Sequence, residues 1–251
     1  MKILTYALLL FYSALACAGE RASSSDKILI YNLIGAETLP VLQARAKEPV
    51  MATAGEEMNV GDEIRTPSKV VALLRDWNNS EYTLAPNSRL KIAAHKPNNG
   101  AWTFQLLTGA IHCKVETNPV KSMIRFKVQT ATGVAGVRGT EFLVSFNESQ
   151  VMRVDTHKGD VLLGRSPMFE PGSFVEVTEN MFAEIGPDQR KPIEAPKTDA
   201  KAFEESLKSN QIPDGSDTTV KIKKYHSIQD CVNLGKGWHA VPGEGAMGNC
   251  Y

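Results

Sequence analysis

The chain is short of several things, and each shortage narrows what it can be. It has no surplus of charge, since 28 lysines and arginines stand against 28 aspartates and glutamates in 251 residues. Phosphate-rich partners are gripped by clustered cations, and no basic block is present, so nucleic acid is not the expected partner. Apolar runs are scarce beyond Ala16. None approaches the roughly 20 residues that a helical span requires, so no membrane span is expected once the N-terminal segment is removed. None of the five histidines has the company of ligands that a metal site needs, so no metal is expected, and no other cofactor either. Long helical periodicity alternating with strands is missing too, which argues against a doubly wound α/β enzyme.

What is present begins with an address. Met1 and Lys2 give a short basic start, Ile3 to Ala16 is almost wholly apolar around Leu8, Leu9, Leu10 and Phe11, and small residues follow. That three-part layout reads as a secretory signal over residues 1–18, cut after Ala18 to leave Gly19 first. Cys17 offers lipidation as the alternative, but Ala14 stands where a lipoprotein signal usually has leucine. The expected location is therefore periplasmic or secreted, in a bacterial envelope.

The centre of the chain alternates apolar and polar residues with the period of two of half-buried strands. Trp102, Phe104 and Leu106 form one series, Ile111, Cys113 and Val115 another. Ile124, Phe126 and Val128 follow, then Phe142, Val144 and Phe146. Turn residues punctuate the series at Pro86-Asn87, Pro97-Asn98-Asn99-Gly100, Gly109, Gly159-Asp160 and Pro171-Gly172. Many short strands at close spacing predict an all-β domain over residues 19–190. Residues 191–219 read as a linker with a short helix, capped by Thr198 or Asp199 and apolar along Ala200, Phe203 and Leu207. Residues 220–251, rich in glycine, read as a small C-terminal extension.

Three segments carry more specific information. They are Val60-Gly61-Asp62-Glu63-Ile64-Arg65-Thr66, then Phe104-Gln105-Leu106-Leu107-Thr108-Gly109-Ala110-Ile111, and the run from Phe126 to Phe142. Within the last, Gly133, Gly136 and Gly139 recur every third residue between strands, which suits tight corners where a side chain would clash. Arg138 and Glu141 are close enough in sequence to pair and fix register there. A phosphate cradle is the alternative for such glycines, but the spacing fits neither the dinucleotide fingerprint nor the P-loop. Taken together, and above all through Ala135-Gly136-Val137-Arg138-Gly139-Thr140-Glu141-Phe142, the stretch from about Leu42 to Ile185 resembles the FecR domain. This is the extracytoplasmic signalling module of iron-dicitrate-type sensors. The resemblance implies a β-solenoid-like or sandwich module used for protein contact, with Gly61, Asp62, Arg65, Gly133, Gly136, Arg138, Gly139 and Glu141 as its structural motif. Family members that control sigma factors carry a cytoplasmic helical domain and a membrane helix before the module. Here a signal peptide stands in their place, so direct sigma-factor control is not implied.

Candidate chemistry is thin. His112 and Cys113 are adjacent on a strand and point to opposite faces, so one metal could not easily take both; His112 is expected exposed and Cys113 buried as a free thiol. Ser88 and Lys91 have the spacing of an acyl-enzyme pair, but in a strand they would diverge. Trp77 and Trp102 could line a carbohydrate site, yet core positions are the expectation for both. The reading is a non-catalytic module that binds or senses a protein partner or an envelope polymer. A structural envelope component and an envelope hydrolase are the alternatives.

Two outcomes follow for the exported protein. N-terminal sequencing of the periplasmic fraction should begin at Gly19, and intact Met1 in the membrane pellet would overturn cleavage. Export also favours disulfides, and after cleavage only Cys113, Cys231 and Cys250 remain. With Cys113 claimed by a core face, Cys231 and Cys250 are expected to staple the extension, worth about 3 kcal/mol for so short a loop. Non-reducing peptide mapping should find that bridge and a reduced Cys113.

Overall fold

Inward-facing residues recur at every second position along most of this chain, and such strands can bury their apolar face only against another sheet. The computed structural model describes residues 26–96, 101–117, 124–165, 168–169, 172–189, 193–194 and 200–213, with short strands at 226–227, 238–240 and 247–250. In chain order the strands begin with β1 (Ile28–Ile34), β2 (Thr38–Leu42), β3 (Val50–Thr53) and β4 (Glu57–Met58). β5 (Glu63–Arg65), β6 (Val71–Arg75), β7 (Glu81–Leu84) and β8 (Arg89–Lys96) lead to the long β9 (Ala101–Lys114). β10 (Phe126–Gln129), β11 (Val134–Val137), β12 (Glu141–Phe146) and β13 (Met152–Lys158) come next. β14 (Val161–Gly164), β15 (Phe174–Val177), β16 (Phe182–Ile185) and β17 (Ile193–Glu194) close the main sheet. Helix α1 (Ala200–Ser209) and a separate three-stranded sheet of β18 (His226–Ser227), β19 (Trp238–Ala240) and β20 (Met247–Cys250) follow.

β1 to β17 form one open, 17-stranded sheet folded over on itself. Its first layer runs β4-β1-β6-β7-β9-β12-β13-β16-β17. Its second runs β3-β2-β5-β8-β9-β10-β11-β14-β15. The chain passes between layers again and again: β10 and β11 lie in the second, β12 and β13 in the first, β14 and β15 in the second. The all-β expectation holds, and both its forms are visible. Repeated crossing is solenoid-like, while the two facing layers make a sandwich.

One strand belongs to both layers. The first half of β9 pairs with β8 and, in parallel, with β10. Its second half pairs with β7 and β12. The change-over falls at Gly109, where the sequence suggested a turn between two strands. Instead the strand bends and continues. The inward residues shift from the even series, Trp102, Phe104 and Leu106, to the odd series, Ile111 and Cys113, all buried. Gly109 has a φ of 89°, and a Cβ there would lie 2.1 Å from Ser88 Oγ and 2.7 Å from Ser88 Cα. Ser88 occupies that space because it ties the bend down. Its Oγ accepts from Ala110 N at 3.0 Å, and its own N–H donates to Thr66 Oγ1 at 3.0 Å.

Aromatic rings join the layers. Tyr82 of the first lies 4.8 Å from Phe104 and 4.7 Å from Phe126 of the second, and Phe126 lies 6.4 Å from Phe142. Each is almost fully buried, and burying such a side chain stabilises by roughly 1.5–3 kcal/mol. The Tyr82 hydroxyl donates to Asp76 Oδ2 at 3.0 Å, so its polar tip is satisfied. Cys113 is buried and free as expected, and burial pushes its thiol pKa well up.

The short helix also forms where periodicity placed it. Phe203 and Leu207 turn inward and, with Ile212, cover Ala85, Ala110 and Leu143 on the outer side of the first layer. Among the described residues no helix is long and apolar enough to cross a membrane. Cys231 lies outside the described residues, as does the side chain of Cys250, so the expected bridge is not seen either way.

The bend predicts a measurable asymmetry between glycines. Gly55 has a φ of 98° but open space around its Cβ position, so Gly55→Ala should cost about 1 kcal/mol of strain. Gly109→Ala adds a collision with Ser88 and should cost about 2–5 kcal/mol. Urea denaturation midpoints measure both, and equal losses would mean that packing against Ser88 does not set the bend.

Candidate functional site at the layer crossing

The segment Gly136-Val137-Arg138-Gly139-Thr140-Glu141 is where the chain leaves β11 in the second layer and enters β12 in the first. Its corner is pinned on both sides. Val115 and Thr140 exchange backbone hydrogen bonds of 3.0 and 3.2 Å, and Thr140 Oγ1 donates to Asp160 O at 3.1 Å. Asp160 sits in the next crossing, between β13 and β14. Two depressions flank the corner and share Gly139, Thr140 and Gly159. The smaller, about 140 Å³, is walled by Arg138, Asp160 and Glu176. The larger, about 490 Å³, is rimmed by Lys114, Glu116, Glu141, Lys158 and Glu179.

At Gly133 and Gly136 packing alone, without a positive φ, accounts for the missing side chain, while Gly139 combines close packing with a φ of 159°. Gly136 lies within a strand without positive φ; a Cβ there would lie 2.8 Å from the Phe169 ring, which folds against β11. At Gly133 it would meet Ile185 Cγ2 at 2.6 Å. At Gly139 it would meet Thr117 at 2.3 Å from Cγ2 and 2.8 Å from Cα. Close approach of neighbouring segments leaves no room for a side chain at any of the three.

The expected Arg138–Glu141 pair does not form. Arg138 is exposed on the smaller depression. Glu141 turns the other way, because sheet register sets it between Lys158 of β13 and Lys114 of β9. Lys114 in turn faces Glu81 of β7, and Glu81 faces Arg75 of β6. The result is a row of alternating charge across five strands, Lys158, Glu141, Lys114, Glu81 and Arg75. Arg75 bonds Glu81 at 2.6 Å, and Lys114 lies 3.5 Å from Glu141. Opposite charges directly across a sheet stabilise modestly and fix register. Periodicity could not reveal this row, because its members are far apart in sequence and only strand order aligns them.

His112 departs most from expectation. It is 6% exposed, not solvent-facing, because α1 covers the outer face on which it lies. Its ring meets Phe203 edge-on at 5.8 Å, and its Nε2 lies 3.2 Å from Glu141 Oε1. The latter is a close polar contact without hydrogen-bond alignment. The facing imidazole holds the Glu141 carboxyl pKa down, from the ordinary 4.5 to about 2, against the opposing effect of burial and with help from Lys114 and His157. His157, which the sequence reading passed over, stacks on Phe203 at 4.7 Å.

The remaining motif residues are structural. Asp62 caps the turn into β5, its two oxygens accepting from Ala44 N at 2.9 Å and Asn59 N at 2.8 Å. Gly61, at a φ of 100°, packs against Ala44. Arg65 and Arg89 both grip Glu63; burial pushes that carboxyl's pKa up, but the two guanidiniums outweigh it and hold it low. Trp102 is core as expected, whereas Trp77 is 53% exposed and corrects that expectation. Its turn is held by Asp76, whose carboxylate accepts from Asn78 N and Ser80 N at 2.9 Å each. Ser88 is a buried strut of the β9 bend. Among the described residues, no group of three or more potential ligands is placed to hold a metal.

Residues 62–162 match the family model described as FecR protein, a narrower span than the resemblance read from the sequence. No curated protein matches the chain. Two crystal structures of a candidate anti-sigma factor from Parabacteroides distasonis, at 2.50 and 1.65 Å resolution, are similar to it at 15% identity. Their TM-scores are 0.48 and 0.47; each covers 75% of this chain, which spans 97% and 98% of theirs.

Two experiments probe the corner. Gly136→Ala should cost about 1–3 kcal/mol by overpacking, and adding Phe169→Ala should recover part of that loss, whereas Gly139→Ala, facing Thr117 backbone, should not be rescued by Phe169→Ala. A carboxyl whose pKa is depressed on folding lends stability above its unfolded pKa and loses it as pH falls through its folded one. The stability gap between parent and Glu141→Gln should therefore be full above about pH 5 and vanish towards about pH 2. A gap that persists at pH 2 in urea titrations would contradict the assigned contact.

Proposed function

From a chain whose residues 62–162 are a FecR-family match, we propose an exported, non-catalytic sensing module that binds a protein partner outside the cytoplasmic membrane. FecR proteins are regulatory, and the part matched here is the part that forms the layer crossing. The observation that carries the reading is what that crossing displays. A recess of about 490 Å³ opens beside a fixed row of alternating charges, and backbone hydrogen bonds hold both in place. A preformed recess with a polar, charged rim suits recognition of a protein surface, where charge arrangement sets specificity more than raw affinity.

The groups that could have acted as nucleophile or base are engaged in structure. Ser88 Oγ is the strut of the β9 bend, Cys113 is sealed in the core with its thiol pKa raised, and His112 lies between Phe203 and Glu141. None faces the recess with a free partner group. Trp77, exposed in the β6–β7 turn that Asp76 holds, lies at the same end of the first layer, since Ser80 Oγ accepts from Glu116 N at 3.2 Å. Exposed aromatics of that kind are common anchors at protein contacts.

The test is site-specific photocrosslinking in envelope preparations, with the photoreactive residue at Lys158 or Glu179 and, as a control, at Met51 on the exposed β3. Crosslinks to one discrete protein from the rim positions, lost when Arg138 and Lys158 are both changed to Glu, are the expected result. Equal crosslinking from Met51, or none from the rim, would refute the recess as the contact. Binding to isolated envelope polymer with no protein crosslink would replace the partner class.

A further inference from the structure

Helix α1 is seated on the first layer in an unusual way. It is 10 residues long, below the roughly 12–15 at which an isolated helix becomes even marginally stable in water. Its end is also poorly made. Ile212 N donates to Leu207 O at 3.0 Å and Gln211 N to Lys208 O at 2.9 Å, which is a Schellman closure. The left-handed position in it belongs to Gln211, with a φ of 58°, where glycine is the residue that fits without strain. The helix therefore owes its existence to docking. That docking rests on Phe203, Leu207 and Ile212, which form with Ala85, Ala110 and Leu143 a cluster separate from the main core. Among the described residues no hydrogen bond joins α1 to the strands beneath it.

The seat beneath the helix is built on the sheet. Ala110 and Leu143 lie on the adjacent strands β9 and β12, and Ala85 directly follows β7, its N–H donating to Ala110 O at 3.0 Å. The two alanines leave a shallow floor, and the His112 and His157 rings stand over it, one meeting Phe203 edge-on and the other stacking on it. What fits is defined by what is seated: an aromatic ring followed four residues later by leucine, one face of an amphipathic helix. We propose that the outer face of the first layer beneath α1 is an interaction surface for an amphipathic helix of a partner protein, and that α1 occupies it in the resting chain. The surface is distinct from the recess at the layer crossing, so it stands or falls apart from the function proposed above.

The probe is a fluorescent peptide spanning residues 198–213, titrated against the full chain and against its Phe203→Ala/Leu207→Ala variant. Freeing the seat raises the competent fraction, so the variant should bind the peptide roughly tenfold or more tightly than the parent. Adding Leu143→Lys to the variant should abolish the gain. Equal binding by parent and variant, or a gain that survives Leu143→Lys, would overturn the proposal. Amide exchange on the unaltered chain gives an independent check: α1 amides should exchange at least about a hundredfold faster than those of β12, through local opening. Protection of α1 equal to that of β12 would show that the helix leaves only on global unfolding, and the surface would then never be offered.

Discussion

The bend of β9 against Ser88 is the constraint on which the rest of the molecule depends. A strand of this length could have stayed in one layer and left the other to find its own partner. Because Gly109 lets the backbone pass within reach of Ser88, the strand carries Trp102 and Phe104 into one layer and Ile111 and Cys113 into the other. Both layers then share a central strand, and the aromatic contacts of Tyr82, Phe104, Phe126 and Phe142 close across a fixed gap. The same bend turns Ala110 and His112 outward, and those residues become the floor on which α1 rests.

The functional geometry follows from crossing. Each time the chain changes layer it leaves a corner at one end of the sandwich, and the crossings after β11 and β13 lie side by side. The hydrogen bond between them, together with the bare backbone at Gly139 and Gly159, leaves the depressions on either side. Register then lines the end of the first layer with opposite charges. Glu141 is the meeting point, since it rims the larger recess, pairs with Lys114 and touches the imidazole that supports Phe203. The rim of the larger recess and the helix-covered face thus meet at Glu141 and His112.

Much of the fold was legible because it rests on local periodicity. The alternations around Phe104, Phe126 and Phe142 are strands, Phe203 and Leu207 face inward from a helix, and the sharp change of parity between Leu106 and Ile111 was already visible around Gly109. Its meaning was not, because a turn and a bent continuous strand leave the same local pattern, and only pairing partners separate them. The candidate site was less legible for the same reason. Glu141 was paired with its sequence neighbour Arg138, but strand register aimed it at Lys114, Lys158 and His112. His112 was read as exposed because nothing in its own strand announces that a helix almost a hundred residues later covers it. Trp77 failed in the opposite sense: a tight Asp76-centred turn pushes it outward where composition favoured the core.

The claim that one shared strand unites both layers is tested most directly by native-state amide exchange across a urea series. The amides of Phe104, in the second layer, and Val144, in the first, should converge on the same global opening, with equal free energy and equal urea dependence. Separate isotherms, with one layer opening at lower urea while the other stays closed, would show that β9 does not couple them and would contradict the account.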